Sequence, residues 1–239
     1  MGFDRTDYLD WYLPRVHGPD DVAHLDASGV AALTSAEAPP AEGDPWEMPV
    51  RFEHGLAHWL GIDPAEVLFA PGATGATLLA LLALTESSRT LVVEAPVYEP
   101  MLRQAERSGP VRRLPRSAEG RLPRESVERA LGPDTGAVML TEPSNPSGRF
   151  APREEVLELA DLARRRGAVV LVNEVYRGFS DAPSYHRAAD NIVVISSLSK
   201  LLGAYWARLG WLSAAPDVIA RLRRAHLNLG MASSASAAV

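Results

Sequence analysis

Five short apolar runs, at residues 67–70, 90–94, 137–141, 168–173 and 191–196, set the pattern of this sequence. Each is rich in Val, Ile and Leu and bounded by Gly, Pro, Ser or Asn. Runs of that kind suit strands buried on both faces, as in a parallel sheet. Between them lie amphipathic stretches near 74–87, 98–108, 123–131 and 152–166. In the last, Val156, Leu159, Ala160 and Ala163 share one stripe, and Arg164, Arg165 and Arg166 precede a stopping Gly167. Residues 207–213 predict a further strand and 216–229 a further helix. The alternation predicts an α/β architecture, a doubly wound and mostly parallel sheet. Ligands of such sheets sit at the C-terminal ends of the strands. The chemistry is to be sought there.

Composition narrows the classes. With 239 residues, 46% of them hydrophobic, the chain is long enough for one large domain and too apolar for disorder. Residues 1–44 read as an N-terminal arm and linker, ending in the Pro-rich stretch 36–45, and residues 45–239 as the domain. The tail from Ala232 to Val239 is rich in small residues, as at the start of a helix. The absence of Cys excludes disulfides and Cys-ligated metals. A net charge of −6 gives no pull toward nucleic acid. The longest apolar stretch, Leu78–Leu84, is far short of a membrane span. The acidic start is unlike a secretory signal, so a cytoplasmic protein is expected.

One residue type stands apart. Of the 24 Lys and Arg residues, Lys200 alone is lysine. A GC-rich coding sequence explains why lysines are scarce but not why one remains. Arginine replaces lysine on solvated surfaces yet cannot serve as a primary-amine nucleophile. The survivor therefore points to amine chemistry such as a Schiff base.

The expected strand ends carry matching polar sequence. After the first comes Pro71-Gly72-Ala73-Thr74-Gly75, a small-residue helix start able to hold an anion on backbone N–H groups. Others carry Ala95-Pro96-Val97-Tyr98, then Asn145 between prolines, then Asn173-Glu174-Val175-Tyr176. The fifth carries Ser197-Leu198-Ser199-Lys200, with Arg208 eight residues beyond the lysine. Each alone is equally a turn, a cap or a core aromatic.

In this order they resemble the large domain of the class I/II, fold-type I pyridoxal-phosphate aminotransferases, from about residue 43 onward. Ser-Leu-Ser-Lys, Arg-Leu-Gly-Trp and Asn-Pro-Ser-Gly carry the likeness most specifically. The resemblance implies pyridoxal 5'-phosphate as cofactor, with Lys200 holding it as an internal aldimine. It implies Arg208, Ser197, Ser199 and the Ala73-Thr74 helix start on the phosphate. Tyr98 and Val175 would take the two faces of the ring, and Asn145 and Tyr176 its phenolic oxygen. The implied substrates are an amino acid and a 2-oxo acid, and the implied assembly is a homodimer. The lead-in His24-Leu25-Asp26-Ala27-Ser28-Gly29-Val30 is similar to openings of the capreomycidine synthase branch, which acts on arginine-type amino acids.

Three departures from the family pattern stand out. Asn173 occupies the place of the aspartate that pairs with the pyridine nitrogen. Glu42 stands where a tyrosine often reaches the neighbouring subunit's phosphate. No residue matches the carboxylate-binding arginine of the small C-terminal domain, which is expected to be absent or supplied as a separate half. A half-enzyme that binds cofactor without turnover is thus the rival expectation. A serine–lysine hydrolase, suggested by Ser197-x-x-Lys200, would need a second lysine that the chain lacks. His54 and His58, spaced i, i+4 on a helix, read as solvent-side residues, and no metal is expected.

Overall fold

The computed structural model describes residues 10–12, 29–31, 47–205 and 207–229. Seven strands form one sheet: β1 (Val67–Pro71), β2 (Thr90–Ala95), β3 (Val111–Pro115), β4 (Thr135–Thr141), β5 (Val169–Asn173), β6 (Ile192–Ser197) and β7 (Leu209–Ser213). Their spatial order is β1-β7-β6-β5-β4-β2-β3. The helices that pack with them are α1 (Met48–Leu60), α2 (Gly72–Leu84), α3 (Glu99–Ser108), α4 (Arg124–Ala130), α5 (Arg153–Arg164), α6 (Leu198–Leu202) and α7 (Pro216–Asn228). The chain is α/β and its sheet mostly parallel, as the alternation predicts. Strand β7 pairs antiparallel with both β1 and β6, so it alone runs against the rest.

The apolar runs are strands because both faces of the sheet are covered. Leu91 and Val93 point into the cluster with α2, α3 and α7, while Val92 points into the cluster with α4 and α5. Strands β4 and β5 repeat the division, with Met139 and Leu171 on the first face and Val138, Leu140, Val170 and Val172 on the second. Each fully buried Leu or Val contributes about 1.5–3 kcal/mol. Helix α2 is apolar nearly all round because it lies between the sheet, α3 and α7. Helix α5 buries Val156, Leu159, Ala160 and Ala163, the stripe read from the sequence. No helix among the described residues is long and apolar enough to cross a membrane.

Two elements lay outside the sequence expectation. Strand β3 carries Arg112 and Arg113 and buries only Leu114, because it is an edge strand that faces water. Helix α6 is too short to show a helical period. His54 and His58 sit on α1 with both side chains exposed. Glu42, residues 24–28 and the tail 232–239 lie outside the described residues.

Candidate active site

The reversal of β7 builds the site. Its N-terminal end meets the edge where the parallel strands finish, with Leu209 opposite Pro71 and Gly210 opposite Ser197. Arg208 is thereby delivered to the start of α2 and to the segment after β6. At that edge lies a cavity of about 170 Å³. It is lined from α2 by Ala73 and Thr74, and from the segment after β2 by Tyr98. Asn145 follows β4, Asn173 ends β5, and Val175 and Tyr176 follow it. Ser197 ends β6, with Ser199 and Lys200 on α6 and Arg208 ahead of β7. The structure thus brings every predicted site residue to one place. A larger cavity of about 410 Å³, lined by Trp59, Trp211 and His186, holds neither Lys200 nor Arg208. Chemistry, not size, marks the site.

Arg208 and α2 form one end. Arg208 adopts a left-handed φ of 51°, which costs a non-glycine residue roughly 1 kcal/mol or more. A Cβ at residue 72 would lie 2.7 Å from Arg208 Nη2, so Gly72, with φ +70°, is needed for its backbone and for the arginine. The first turn of α2 adds N–H groups without intrahelical partners. Arg208, these N–H groups and the buried Ser197 and Ser199 are donors of the kind that suits a phosphate dianion.

Lys200 forms the second point. Burial, and then the charge of Arg208, lowers its pKa from the ordinary lysine value. A neutral amine is the nucleophilic form. The Tyr205 ring centroid lies 5.4 Å from Nζ.

The remaining polar groups have fixed roles as donors or acceptors. Asn145 Nδ2 donates to Tyr176 Oη at 3.3 Å. Val175 N–H donates to Asn173 Oδ1 at 3.1 Å. A backbone N–H demands an oxygen, so the amide of Asn173 keeps Nδ2 for the cavity. Among the described residues that line it, two are cations and none is a carboxylate.

Sequence reasoning missed Tyr12, Gln104 and Tyr205, which share the lining. Gln104 Nε2 donates to Thr74 O at 2.9 Å. The lead-in also reaches the site: Val30 N–H donates to Lys200 O at 3.0 Å, and Tyr205 Oη to Val30 O at 3.2 Å. A Cβ at Gly29 would lie 2.4 Å from Tyr205 Oη.

The pocket thus brings Arg208 and a buried lysine of lowered pKa together at the strand ends of a mostly parallel sheet. The sequence profile described as aminotransferase class I and II matches residues 34–239. The chain belongs to that family. Histidinol-phosphate aminotransferase of Xanthomonas campestris pv. campestris is 34% identical over 209 residues, 81% of this chain and 57% of that protein. A probable N-acetyl-LL-diaminopimelate aminotransferase of Bacillus subtilis is 31% identical over 180 residues, 72% of this chain and 46% of that protein. A PLP-dependent aminotransferase structure from Streptococcus suis superposes with a TM-score of 0.70 at 27% identity, covering 83% of this chain and 53% of that one. The chain spans about half the length of the curated relatives it matches.

Proposed function

We propose that residues 45–239 are the cofactor-binding domain of a pyridoxal-phosphate enzyme that transfers an amino group between an amino acid and a 2-oxo acid. The observation that carries this reading is the meeting of Lys200, Arg208 and the start of α2 in one cavity. The residues fit the group: Arg208 lies in the space a Cβ on Gly72 would fill, and the donors suit a dianion. When bound, pyridoxal phosphate supplies an aldehyde that captures amines and a ring that accepts electrons.

The chain's own side chains do the rest. Arg208, Ser197, Ser199 and the Ala73-Thr74 turn hold the phosphate. Tyr98 and Val175 take the ring's faces and exclude water. Asn145 and Tyr176 meet the phenolic oxygen, and Asn173 offers Nδ2–H to the ring nitrogen. Lys200 Nζ would be the amine that holds the cofactor's aldehyde and the group that moves a proton at the substrate's α-carbon. Its lowered pKa favours the neutral form that both steps need.

Borohydride reduction of the protein with pyridoxal phosphate, followed by peptide mapping, tests this. A pyridoxyl label on Lys200 is expected; a label confined to the N-terminal amine overturns it. Bound cofactor whose visible band ignores added amino acids would favour the binding protein without turnover.

The placement of Gly29 and Val30 against Lys200 favours an arginine-type substrate, since this segment resembles the capreomycidine synthase branch. L-Arginine should then shift the bound cofactor's band at lower concentration than L-aspartate does. A homodimer is proposed as well, supported by the exposed Trp59, Phe179 and Leu202. Light scattering of a fully loaded monomer would refute it.

A further inference from the structure

A second group of charges lies at the same edge of the sheet, outside the cavity. Arg116, just past β3, is buried between Glu94 near the end of β2 and Glu142 just past β4, with side-chain exposures of 2%, 0% and 1%. Arg116 Nε donates to Glu94 Oε2 at 2.6 Å and Nη2 to Glu142 Oε1 at 2.6 Å. Its other N–H groups reach Gly120 O at 2.9 Å and Thr141 O at 3.2 Å. The second oxygens of the glutamates are also used. Glu94 Oε1 accepts Thr141 N–H at 2.7 Å, and Glu142 Oε2 accepts Ala151 N–H at 3.1 Å.

Stability does not explain the cluster. Two carboxylates share one cation away from water, and burial raises Glu94 to about 7 against the pull of Arg116. Apolar residues of equal volume serve a core at least as well as buried ions do. Location explains it better. Glu94 precedes Tyr98 by four residues, and Glu142 precedes Asn145 by three. Arg116 N–H donates to Ala95 O at 2.9 Å, and Glu142 N–H donates to Asn173 O at 2.9 Å. One guanidinium therefore spans the ends of β2 and β4, and Glu142 extends the bracing to β5.

We infer that Arg116 is a positioning residue for the site: held by Glu94 and Glu142, it fixes the spacing between the loop that carries Tyr98 and the loop that carries Asn145. The inference rests on the reading that these two side chains contact the cofactor ring. A charged fork suits the task, because its directional bonds set angle and distance where apolar packing sets only volume.

Two measurements on Arg116→Met test it. Hydrogen exchange of the cofactor-free protein should quicken about tenfold or more in peptides spanning 94–101 and 141–151, with β6 and β7 unchanged. Uniform quickening across the sheet, the mark of general destabilisation, overturns the inference. In the loaded protein, the pyridoxal phosphate dissociation constant should rise about tenfold, and the pH midpoint of the visible band should move. A double-mutant cycle with Asn145→Ala should give losses well short of additive; additive losses also overturn it. If wild type binds no pyridoxal phosphate, the functional reading fails while the exchange pattern still decides this one. Should Arg116→Met not fold, Glu142→Gln keeps the shape and removes one charge. Faster exchange confined to 141–151 is then expected, and unchanged or uniform exchange overturns the inference.

Discussion

The two ends of the sheet are each fastened by an arginine, in different ways. At the end away from the cavity, Arg89 precedes β2 and donates to Thr135 O, to Arg166 O at 2.7 Å and to Gly167 O at 3.2 Å. Its partners are neutral carbonyls, although the same end also buries Glu66, paired with Arg187, and Glu53, paired with Arg223. At the cavity end, Arg116 binds two buried glutamates. Arg89 therefore joins its strand ends without an ion pair. The arginine that is itself fully buried between two carboxylates occurs at the end whose loops bear Tyr98 and Asn145, which line the cavity.

Substitutions can break or sharpen this contrast. The largest effect is expected for Lys200→Ala, which should reduce borohydride-fixed pyridoxyl label to background. Arg89→Met should leave labelling complete. Next comes Arg208→Met. A hydrogen bond to a charged group contributes about 1.5–3 kcal/mol, so cofactor affinity should fall roughly 10- to 100-fold. Equilibrium dialysis checks it. The matched change at the other end, Arg89→Met, should cost about 1–3 kcal/mol of stability in urea unfolding and leave affinity within about twofold.

The glutamates add a pH dependence with a definite sign. Burial raises Glu94 from 4.5 to about 7, so the fold favours its protonated form. Its contribution is complete below the unfolded value of 4.5 and is lost as pH rises through about 7. The urea midpoint should fall across that window. Glu94→Gln should flatten the fall by on the order of 1–3 kcal/mol. Burial raises Glu142 and Glu174 in the same direction, so a shallower slope remains. A slope unchanged in the Gln variant would remove Glu94 from the account.

How much of this was legible depended on the physics involved. Buried strands announced themselves through Val, Ile and Leu, and Lys200 through being the sole lysine. The turns bearing Tyr98, Asn145 and Asn173 were legible as punctuation after those runs. Strand direction leaves no mark on composition, so the reversal of β7 was invisible, although it is what brings Arg208 to α2. The polar edge strand β3 hid for the opposite reason, having one buried side chain. Tyr12 and Tyr205 follow no spacing rule, and their place comes from packing alone. The link between Glu94 and Arg116 joins residues 22 apart that share no motif. Tertiary contact alone reveals it.

The smallest predicted effect falls between the two regions, at Asn173, where β5 ends beside both the cavity and Glu142. Its Oδ1 is held by Val175 N–H at 3.1 Å, which leaves Nδ2 as a donor. A donor stabilises an unprotonated ring nitrogen, and no carboxylate among the described lining residues offers a counter-charge. An unprotonated ring withdraws electrons less strongly, so the carbanionic character of amino transfer is less well stabilised. Asn173→Asp would keep one oxygen on Val175 N–H and turn a charged oxygen to the ring, raising the nitrogen's pKa. A charge-assisted bond exceeds a neutral one by on the order of 1–2 kcal/mol, and each ~1.4 kcal/mol is about tenfold in rate. Amino-acid-dependent turnover should therefore rise about tenfold in the Asp variant. Cofactor affinity, which the proposed site assigns to Lys200 and the phosphate donors, should change little. The ¹⁵N resonance of a cofactor labelled at the ring nitrogen should move to its protonated position. If that resonance moves while turnover does not, ring protonation is not what limits this site. If the resonance stays, Asn173 does not face the nitrogen.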